Sequence, residues 1–149
     1  MPKVLISDKM SPMAAEIFAG RGVDCAVKTD LTPEELLAII GDYDGLAVRS
    51  ATKATAEIIA GAKNLKVIGR AGIGVDNIDL DAATARGIVV MNTPLGNSVT
   101  TAEHAIAMMA AMARQIPLAD HSTRAGKWEK SRFMGIELCK KELGIIGCG

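Results

Sequence analysis

The amino-acid sequence predicts an α/β fold in which a doubly wound parallel sheet is followed by the start of a second domain. Two observations predict the sheet. Short apolar runs recur through residues 3–91, and a helix pattern separates each run from the next. A third observation predicts the second domain, because a turn-rich stretch after Met91 ends this alternation.

The predicted strands are short runs of apolar and β-branched residues. Most of them are nearly continuous in apolar character, as expected for strands that helices cover on both faces. They lie at residues 3–7, 23–27, 45–49, 65–69, 87–91 and 143–147. The first five predict a parallel sheet with four helical crossovers.

Capping signals mark the ends of the four crossover helices. A Ser, Thr or Asp precedes each helix, and its side chain can accept a hydrogen bond from an N–H of the first turn. Thr32, Pro33 and Glu35 have capping-box spacing, and Gly87 is placed for a left-handed helix terminus. The predicted helices run from Ser11 to Gly20, from Thr32 to Gly41, from Thr55 to Ala60 and from Asp79 to Arg86.

A second domain is expected over residues 95–149, after a first domain of residues 1–94. The stretch "NTPLGNS" forms the boundary. A capping box at Thr100 and Glu103 predicts a long helix to about Arg114, and a shorter helix is expected over 118–125.

Three methionines of the predicted long helix lie at helical spacing, and we expect them in a core or at a subunit contact. They are Met108, Met109 and Met112.

Composition argues against several classes of function. Seventeen basic and seventeen acidic residues give zero formal net charge, so the positive surface of a nucleic-acid or membrane-surface binder is not expected. Cys25, Cys139 and Cys148 have no short paired spacing, which predicts neither a metal site nor a disulfide framework. No run resembles a signal peptide or a membrane span, so we expect a cytoplasmic protein.

The residues that follow the predicted strands are the candidates for a ligand site, because ligands of doubly wound sheets bind outside the carboxyl ends of the strands. Arg49 follows the third strand, and Arg70 follows the fourth. Three glycines within 69–74 allow backbone N–H groups to approach an anion, which favours a carboxylate or a phosphate as ligand. The alternative is that the glycines only form a tight turn and that Arg49 pairs with a local acid such as Asp44.

Other polar residues carry weaker signals. Asn97 offers a donor and an acceptor within the boundary turn. His104 and His121 are interpreted as surface or interface groups rather than as an acid or base. The C-terminal Gly147-Cys148-Gly149 supplies only the first half of the dinucleotide-binding pattern Gly-x-Gly-x-x-Gly.

Four stretches resemble the NAD-dependent D-isomer-specific 2-hydroxyacid dehydrogenases. They are "VRSATKATAEII", "NLKVIGRAGIGVDNIDLDAATARGI", "VVMNTPLGNSVTTAEHAIAMMAAMARQIP" and "GKWEKSRFMGIEL". The resemblance implies a flavodoxin-like substrate domain that leads into a Rossmann NAD-binding domain, here cut within its glycine fingerprint. It also implies a homo-oligomer, a dimer or tetramer.

The resemblance also assigns roles to individual residues. It implies that a small anionic substrate, a phosphorylated 2-hydroxy acid, contacts side chains and backbone of the crevice and a lysine from a neighbouring subunit. The matching positions are Arg49, Arg70, Gly72, Ile73, Gly74, Asn97 and Lys130. The positions that match the NAD site are Ile73, Gly147 and Gly149.

The activity that the resemblance implies is the NAD-dependent oxidation of D-3-phosphoglycerate to 3-phosphohydroxypyruvate, the first step of L-serine biosynthesis. The catalytic arginine, glutamate and histidine of the family are expected downstream of Gly149, so the fragment itself is expected to be inactive. The alternatives are a relative acting on glycerate, lactate or glyoxylate, a non-catalytic NAD-sensing corepressor, or a short anion-binding protein.

Overall fold

A computed structural model describes residues 1–147, and the chain divides into two compact units. The first unit spans Met1–Asn97, and the second begins at Ser98. The identification of the second unit with the start of a cofactor-binding domain stays a prediction.

The first unit is built on a five-stranded parallel sheet with the strand order β2-β1-β3-β4-β5. The strands are β1 Lys3–Ile6, β2 Asp24–Val27, β3 Gly45–Val48, β4 Val67–Arg70 and β5 Val89–Met91. Each strand overlaps a predicted apolar run, so the prediction of a doubly wound, flavodoxin-like sheet is confirmed. The order reverses between β1 and β3, which is where ligands bind in sheets of this topology.

Four helices connect the strands: α1 Met13–Gly20, α2 Pro33–Ile40, α3 Ala56–Gly61 and α4 Leu80–Ala85. The capping box is confirmed, since the Glu35 N–H donates to Thr32 Oγ1 at 3.2 Å and the Thr32 N–H donates to Glu35 Oε2 at 2.8 Å. Gly87 has the expected left-handed conformation, with φ 67°. In α1 the N-cap position is taken by Pro12, one residue later than predicted, while Ser11 Oγ accepts the expected hydrogen bond from the Met13 N–H of the first turn at 3.4 Å.

The core lies between the sheet and the helices packed on it. Leu5, Leu46 and Ile68 are direct neighbours across β1, β3 and β4, and each is at most 2% exposed. Ile40 of α2 and Ile59 of α3 are fully buried against this row of strand residues. The sheet ends are thereby fixed, and the loops that leave its carboxyl edge start from rigid positions.

The second unit consists of α5 Ser98–Ala113, α6 Ile116–Arg124 and a 3₁₀ turn Lys130–Phe133. The prediction that Thr100 caps α5 is wrong, because the helix begins at Ser98 and Thr100 lies in its first turn. Met108 and Met112 are 50% and 74% exposed, so a core position within this unit is excluded for both. No helix within residues 1–147 combines the length and apolar character needed to cross a bilayer.

The sixth predicted strand, residues 143–147, is wrong. The backbone over Leu143–Gly147 is irregular, and Leu143, Ile145 and Ile146 are 67%, 68% and 103% exposed. A strand forms only where a neighbouring strand pairs with its N–H and C=O groups. Within the described residues, every strand of the sheet belongs to the first unit, and none pairs with this run.

We expect Ile59→Ala to lower the free energy of unfolding by about 2–5 kcal/mol, because the substitution leaves a cavity in the core. The matched control is Ile17→Ala in α1, where the side chain is 50% exposed and the loss is expected to stay below about 1 kcal/mol. Urea denaturation of the two variants measures the difference. Equal losses would contradict this description of the core.

Candidate functional site

Polar residues from four strands meet at the carboxyl edge of the sheet. Asp8 lies just beyond β1, Arg49 directly follows β3, Arg70 ends β4, and Asn92 directly follows β5. Parallel strands place these ends on one side of the molecule, where doubly wound sheets bind their ligands. The expected crevice residues Arg49 and Arg70 are therefore brought together.

The carboxylate of Asp8 holds the loop after β3. Asp8 Oδ2 accepts from the Arg49 N–H at 2.6 Å and from the Ala51 N–H at 3.2 Å. Asp8 Oδ1 accepts from the Thr52 N–H at 3.0 Å. Thr52 Oγ1 donates to Asp8 Oδ1 at 2.6 Å. Asp8 is only 4% exposed, so this carboxylate is a structural anchor rather than a solvent-facing charge.

The same hydrogen bonds control the ionisation of Asp8. Burial by itself would raise the pKa of this carboxyl group, but the hydrogen bonds from the Thr52 hydroxyl and from the Arg49, Thr52 and Ala51 amides lower it further than burial raises it. The net result is a pKa below the ordinary value of 3.8. Asp8 is therefore ionised at neutral pH.

The carbonyl of Arg49 is held as firmly as its amide. It accepts hydrogen bonds from Arg70 Nε at 3.0 Å and from Asn77 Nδ2 at 2.8 Å. The Arg49 guanidinium donates to the Lys9 carbonyl at 3.1 Å, and within residues 1–147 it pairs with no carboxylate. Asp44, the acid considered as its partner, instead pairs with Lys66 at 2.8 Å.

Arg70 uses its guanidinium to brace the glycine loop that follows β4. Its side chain is 11% exposed, donates to the carbonyls of Arg49 and Gly74, and forms an ion pair with Asp76 at 3.3 Å. Sequence reasoning expected this cation to face the crevice. A contact between Arg70 and a substrate stays a prediction that none of these bonds supports.

The glycine loop turns its carbonyls toward the segment after β5. The Gly72 carbonyl accepts from the Thr93 N–H at 2.9 Å, and the Ile73 carbonyl accepts from Asn92 Nδ2 at 2.6 Å. Within the described part of the chain, the N–H groups of Ile73 and Gly74 donate to no protein acceptor. Two backbone donors are thus left for a ligand, as an anion-binding loop requires.

Gly74 is favoured by space rather than by backbone conformation, since a side chain there would have to move the ends of the Arg70 and Asp76 side chains. A Cβ added there would lie 2.9 Å from Asp76 Oδ1 and 3.0 Å from Arg70 Nη1. A Cβ at Gly72 would meet only ordinary contacts with the Arg70 side chain, at 3.5 Å and beyond. Close approach by the Arg70–Asp76 pair explains the second glycine of this loop.

A concavity of about 240 Å³ opens at the reversal of strand order between β1 and β3. Its lining includes Ser7, Asp8, Lys9, Asp30 and Arg49, and none of the glycine-loop residues. Lys9 pairs with Asp30 at 3.3 Å. The Ser7 hydroxyl is buried and has no hydrogen-bond partner within residues 1–147, so a polar ligand atom could satisfy it.

The remaining expected substrate residues lie elsewhere in their units. Asn97 is exposed in the turn that ends the first unit. Lys130 is exposed at the start of the 3₁₀ turn of the second unit, next to Glu129, which accepts from Ser122 Oγ at 2.7 Å. That hydrogen bond and the pairing of Glu129 with Arg132 at 3.2 Å fix the segment that presents Lys130.

The expected cofactor residues are only partly described. Ile73 is 44% exposed, and Gly147 has φ 84°, a conformation that suits the tight turn of a dinucleotide fingerprint. Gly149 lies outside the described residues. His104 and His121 are both exposed, in agreement with their interpretation as surface groups.

Sequence reasoning missed three residues that shape the site: Asp8, Asn77 and Asn92. Asp8 follows β1 and Asn92 follows β5, so the rule that selected Arg49 and Arg70 could have selected both. Asn77 gave no such signal, because it lies in a loop and reaches the carbonyls of Arg49 and Thr52 only in the folded chain.

Comparison with known proteins agrees with this architecture. Residues 4–132 match the family model described as "D-isomer specific 2-hydroxyacid dehydrogenase, catalytic domain". The chain is 54% identical to a D-3-phosphoglycerate dehydrogenase of Archaeoglobus fulgidus and 53% identical to one of Homo sapiens. Each alignment covers 99% of this chain and 28% of the relative, so the chain spans about a quarter of the length of these curated relatives.

A solved structure shares the fold. The NAD+-bound 3-phosphoglycerate dehydrogenase of Entamoeba histolytica superposes with a TM-score of 0.69 at 35% sequence identity. The match covers 76% of this chain and 39% of that one.

We expect Gly74→Ala to destabilise the chain by about 1 kcal/mol, because the new methyl group must displace the Arg70–Asp76 pair. Gly72→Ala is the matched control and should change the free energy of unfolding by less than about 0.5 kcal/mol. Denaturant unfolding of both variants measures this. A larger loss for Gly72→Ala would contradict the packing described for the loop.

Asp8 should also give the chain an acid-sensitive component of stability. A carboxyl group whose pKa is lowered by folding stabilises the protein above its unfolded-state pKa and loses that contribution as the pH falls through its folded-state pKa. We therefore expect Asp8→Asn to cost about 2 kcal/mol or more at neutral pH, since it disrupts several buried hydrogen bonds.

The difference between wild type and Asp8→Asn should shrink as the pH falls below 3.8. Unfolding free energies measured across this range test the effect. The nearby charged groups, Lys9, Asp30 and Arg49, are common to both proteins. A difference that stays constant into strong acid would show that the ionised carboxylate is not the stabilising group.

Proposed function

Because the chain belongs to the D-isomer specific 2-hydroxyacid dehydrogenases, we propose that it forms the substrate-binding part of an enzyme that oxidises D-3-phosphoglycerate to 3-phosphohydroxypyruvate with NAD. The high identity to curated D-3-phosphoglycerate dehydrogenases supports this substrate over lactate or glyoxylate. The reaction would supply L-serine biosynthesis in the cytoplasm.

One observation carries the proposal: two kinds of donor at the carboxyl edge of the sheet have no anionic partner among the described residues. The first is the Arg49 guanidinium, which pairs with no carboxylate among the described residues. The second is the pair of backbone N–H groups at Ile73 and Gly74. A substrate with a carboxylate at one end and a phosphate at the other could place one anionic group on each kind of donor.

The part played by these residues is binding and orientation. The N–H groups of Ile73 and Gly74 would hold the substrate carboxylate, and Arg49 would add a permanent positive charge and planar donors. Asn97 would orient the hydroxyl, and Lys130 of a neighbouring subunit would reach the phosphate. Holding the substrate in one orientation supplies much of the rate enhancement in such a reaction.

NAD, when bound, would supply the hydride acceptor. Ile73, which is exposed beside the glycine loop, would contact such a group, and Gly147, which has a left-handed φ, would belong to a glycine turn of the second unit. We propose that the hydroxyl proton is taken by a histidine supported by a glutamate, both outside residues 1–149.

The exposed apolar side chains of α5, including Met108 and Met112, would be covered in a homo-oligomer.

The test begins by reading the gene beyond codon 149 and expressing the full reading frame. We expect the frame to complete Gly-x-x-Gly and to continue to an arginine, a glutamate and a histidine. The purified product should form NADH from D-3-phosphoglycerate and NAD, while the 149-residue chain should form none. Turnover of lactate, glycerate or glyoxylate instead would reassign the substrate, and loss of the glutamate and histidine would favour a sensor protein.

Arg49→Ala in that enzyme should raise the KM for D-3-phosphoglycerate about 10- to 100-fold, because a charge-assisted hydrogen bond contributes about 1.5–3 kcal/mol. Arg21→Ala is the control, since Arg21 is an exposed arginine at the end of α1. Steady-state kinetics with saturating NAD measures both variants. Unchanged kinetics for Arg49→Ala would remove Arg49 from the substrate site.

A further inference from the structure

We propose that Asp8 is a positioning residue for Arg49: its carboxylate fixes the backbone of residues 49–52 so that the Arg49 guanidinium stands ready for the substrate. The inference rests on the proposed function, because it concerns how Arg49 meets an anionic group of the substrate. It assigns to the end of β1 a role that depends on contacts with residues more than forty positions away.

The loop after β3 is shaped like an anion-binding nest, and Asp8 fills it. The N–H groups of Arg49, Ala51 and Thr52 converge on one carboxylate at 2.6 to 3.2 Å. Converging backbone N–H groups of this kind bind anions. Since Asp8 already occupies them, the N–H groups of Arg49, Ala51 and Thr52 are unavailable to the substrate, and the loop is left with the Arg49 side chain and Ser50, both of which line the concavity.

Arg49 is held on both sides of its Cα atom. Asp8 accepts from its N–H, and its carbonyl accepts from Arg70 and from Asn77. Little backbone freedom remains, so the orientation of the guanidinium depends only on the side-chain torsions. Functional groups supported in this way by a surrounding hydrogen-bond network bind with less loss of conformational entropy.

Asp8 acts on Arg49 through the backbone rather than as a direct counter-ion. The guanidinium of Arg49 donates to the carbonyl of Lys9, and its only recorded bond to Asp8 within residues 1–147 is through the main-chain N–H. Loss of Asp8 would therefore free the loop without removing a charge partner from the guanidinium.

The experiment uses Asp8→Asn in the full-length enzyme, with Arg49→Ala and the double variant. We expect Asp8→Asn to raise the KM for D-3-phosphoglycerate about tenfold while kcat and the KM for NAD change less than about twofold, because substrate positioning is lost and the rest of the site remains. In the Arg49→Ala background, Asp8→Asn should add no further increase.

Asp44→Asn is the matched control. Asp44 also accepts a backbone N–H, that of Lys3 at 2.9 Å, but it lies at the amino ends of β1 and β3. This variant should lower stability and leave the KM unchanged. An unchanged KM in Asp8→Asn, or equal increases with and without Arg49, would overturn the inference.

Thr52→Val covers the case in which Asp8→Asn does not fold. It removes the 2.6 Å hydroxyl contact to Asp8 and the weak 3.5 Å contact to the Ser7 carbonyl, and it leaves the backbone N–H bonds to Asp8 in place. It should raise the KM by a smaller factor, about threefold, and no rise would count against the inference. Absence of turnover by the wild type would instead refute the proposed function.

Amide hydrogen exchange in the 149-residue chain tests the loop without any turnover. Asp8→Asn should reduce protection at Arg49, Ala51 and Thr52, since it replaces one of the two accepting oxygens with an NH2 group that can only donate. Retained protection would contradict the anchoring role of Asp8.

Discussion

The hydrogen bonds between the Asp8 carboxylate and the loop after β3 are the constraint on which the site depends. They join the carboxyl ends of two neighbouring strands at the point where the strand order reverses. A carboxylate is suited to this task, because it accepts several N–H donors at once and stays ionised when they surround it. The loop that carries Arg49 is thereby tied to the end of β1.

Two arginines at the carboxyl ends of neighbouring strands serve different purposes. Arg70 is largely buried. Its guanidinium donates to the carbonyls of Arg49 and Gly74 and pairs with Asp76, so it shapes the glycine loop. Arg49 has its backbone fixed and its guanidinium unpaired with any carboxylate in the described residues, so it can bind an anion. A structural cation and a proposed ligand-binding cation thus lie side by side, and their hydrogen-bond partners distinguish them.

The sequence predicted what depends on local pattern and missed what depends on contacts between distant residues. The five strands followed from apolar runs, and Thr32 with Glu35 formed the expected capping box. Residues 143–147 have the same apolar pattern and form no strand, because a strand also needs a neighbour. The carboxyl-edge rule predicted that Arg49 lies at the edge of the sheet, whereas the use of Arg70 as a brace and of Asp8 as an anchor depends on bonds across 21 and 41 residues.

A structure of the full-length enzyme with D-3-phosphoglycerate bound would test the central claim most directly. We expect the Arg49 guanidinium and the N–H groups of Ile73 and Gly74 to contact the two anionic groups of the substrate. We also expect Asp8 to keep its bonds to the Arg49 and Thr52 amides. A substrate bound away from this edge of the sheet, or bound to the loop amides in place of Asp8, would contradict that claim.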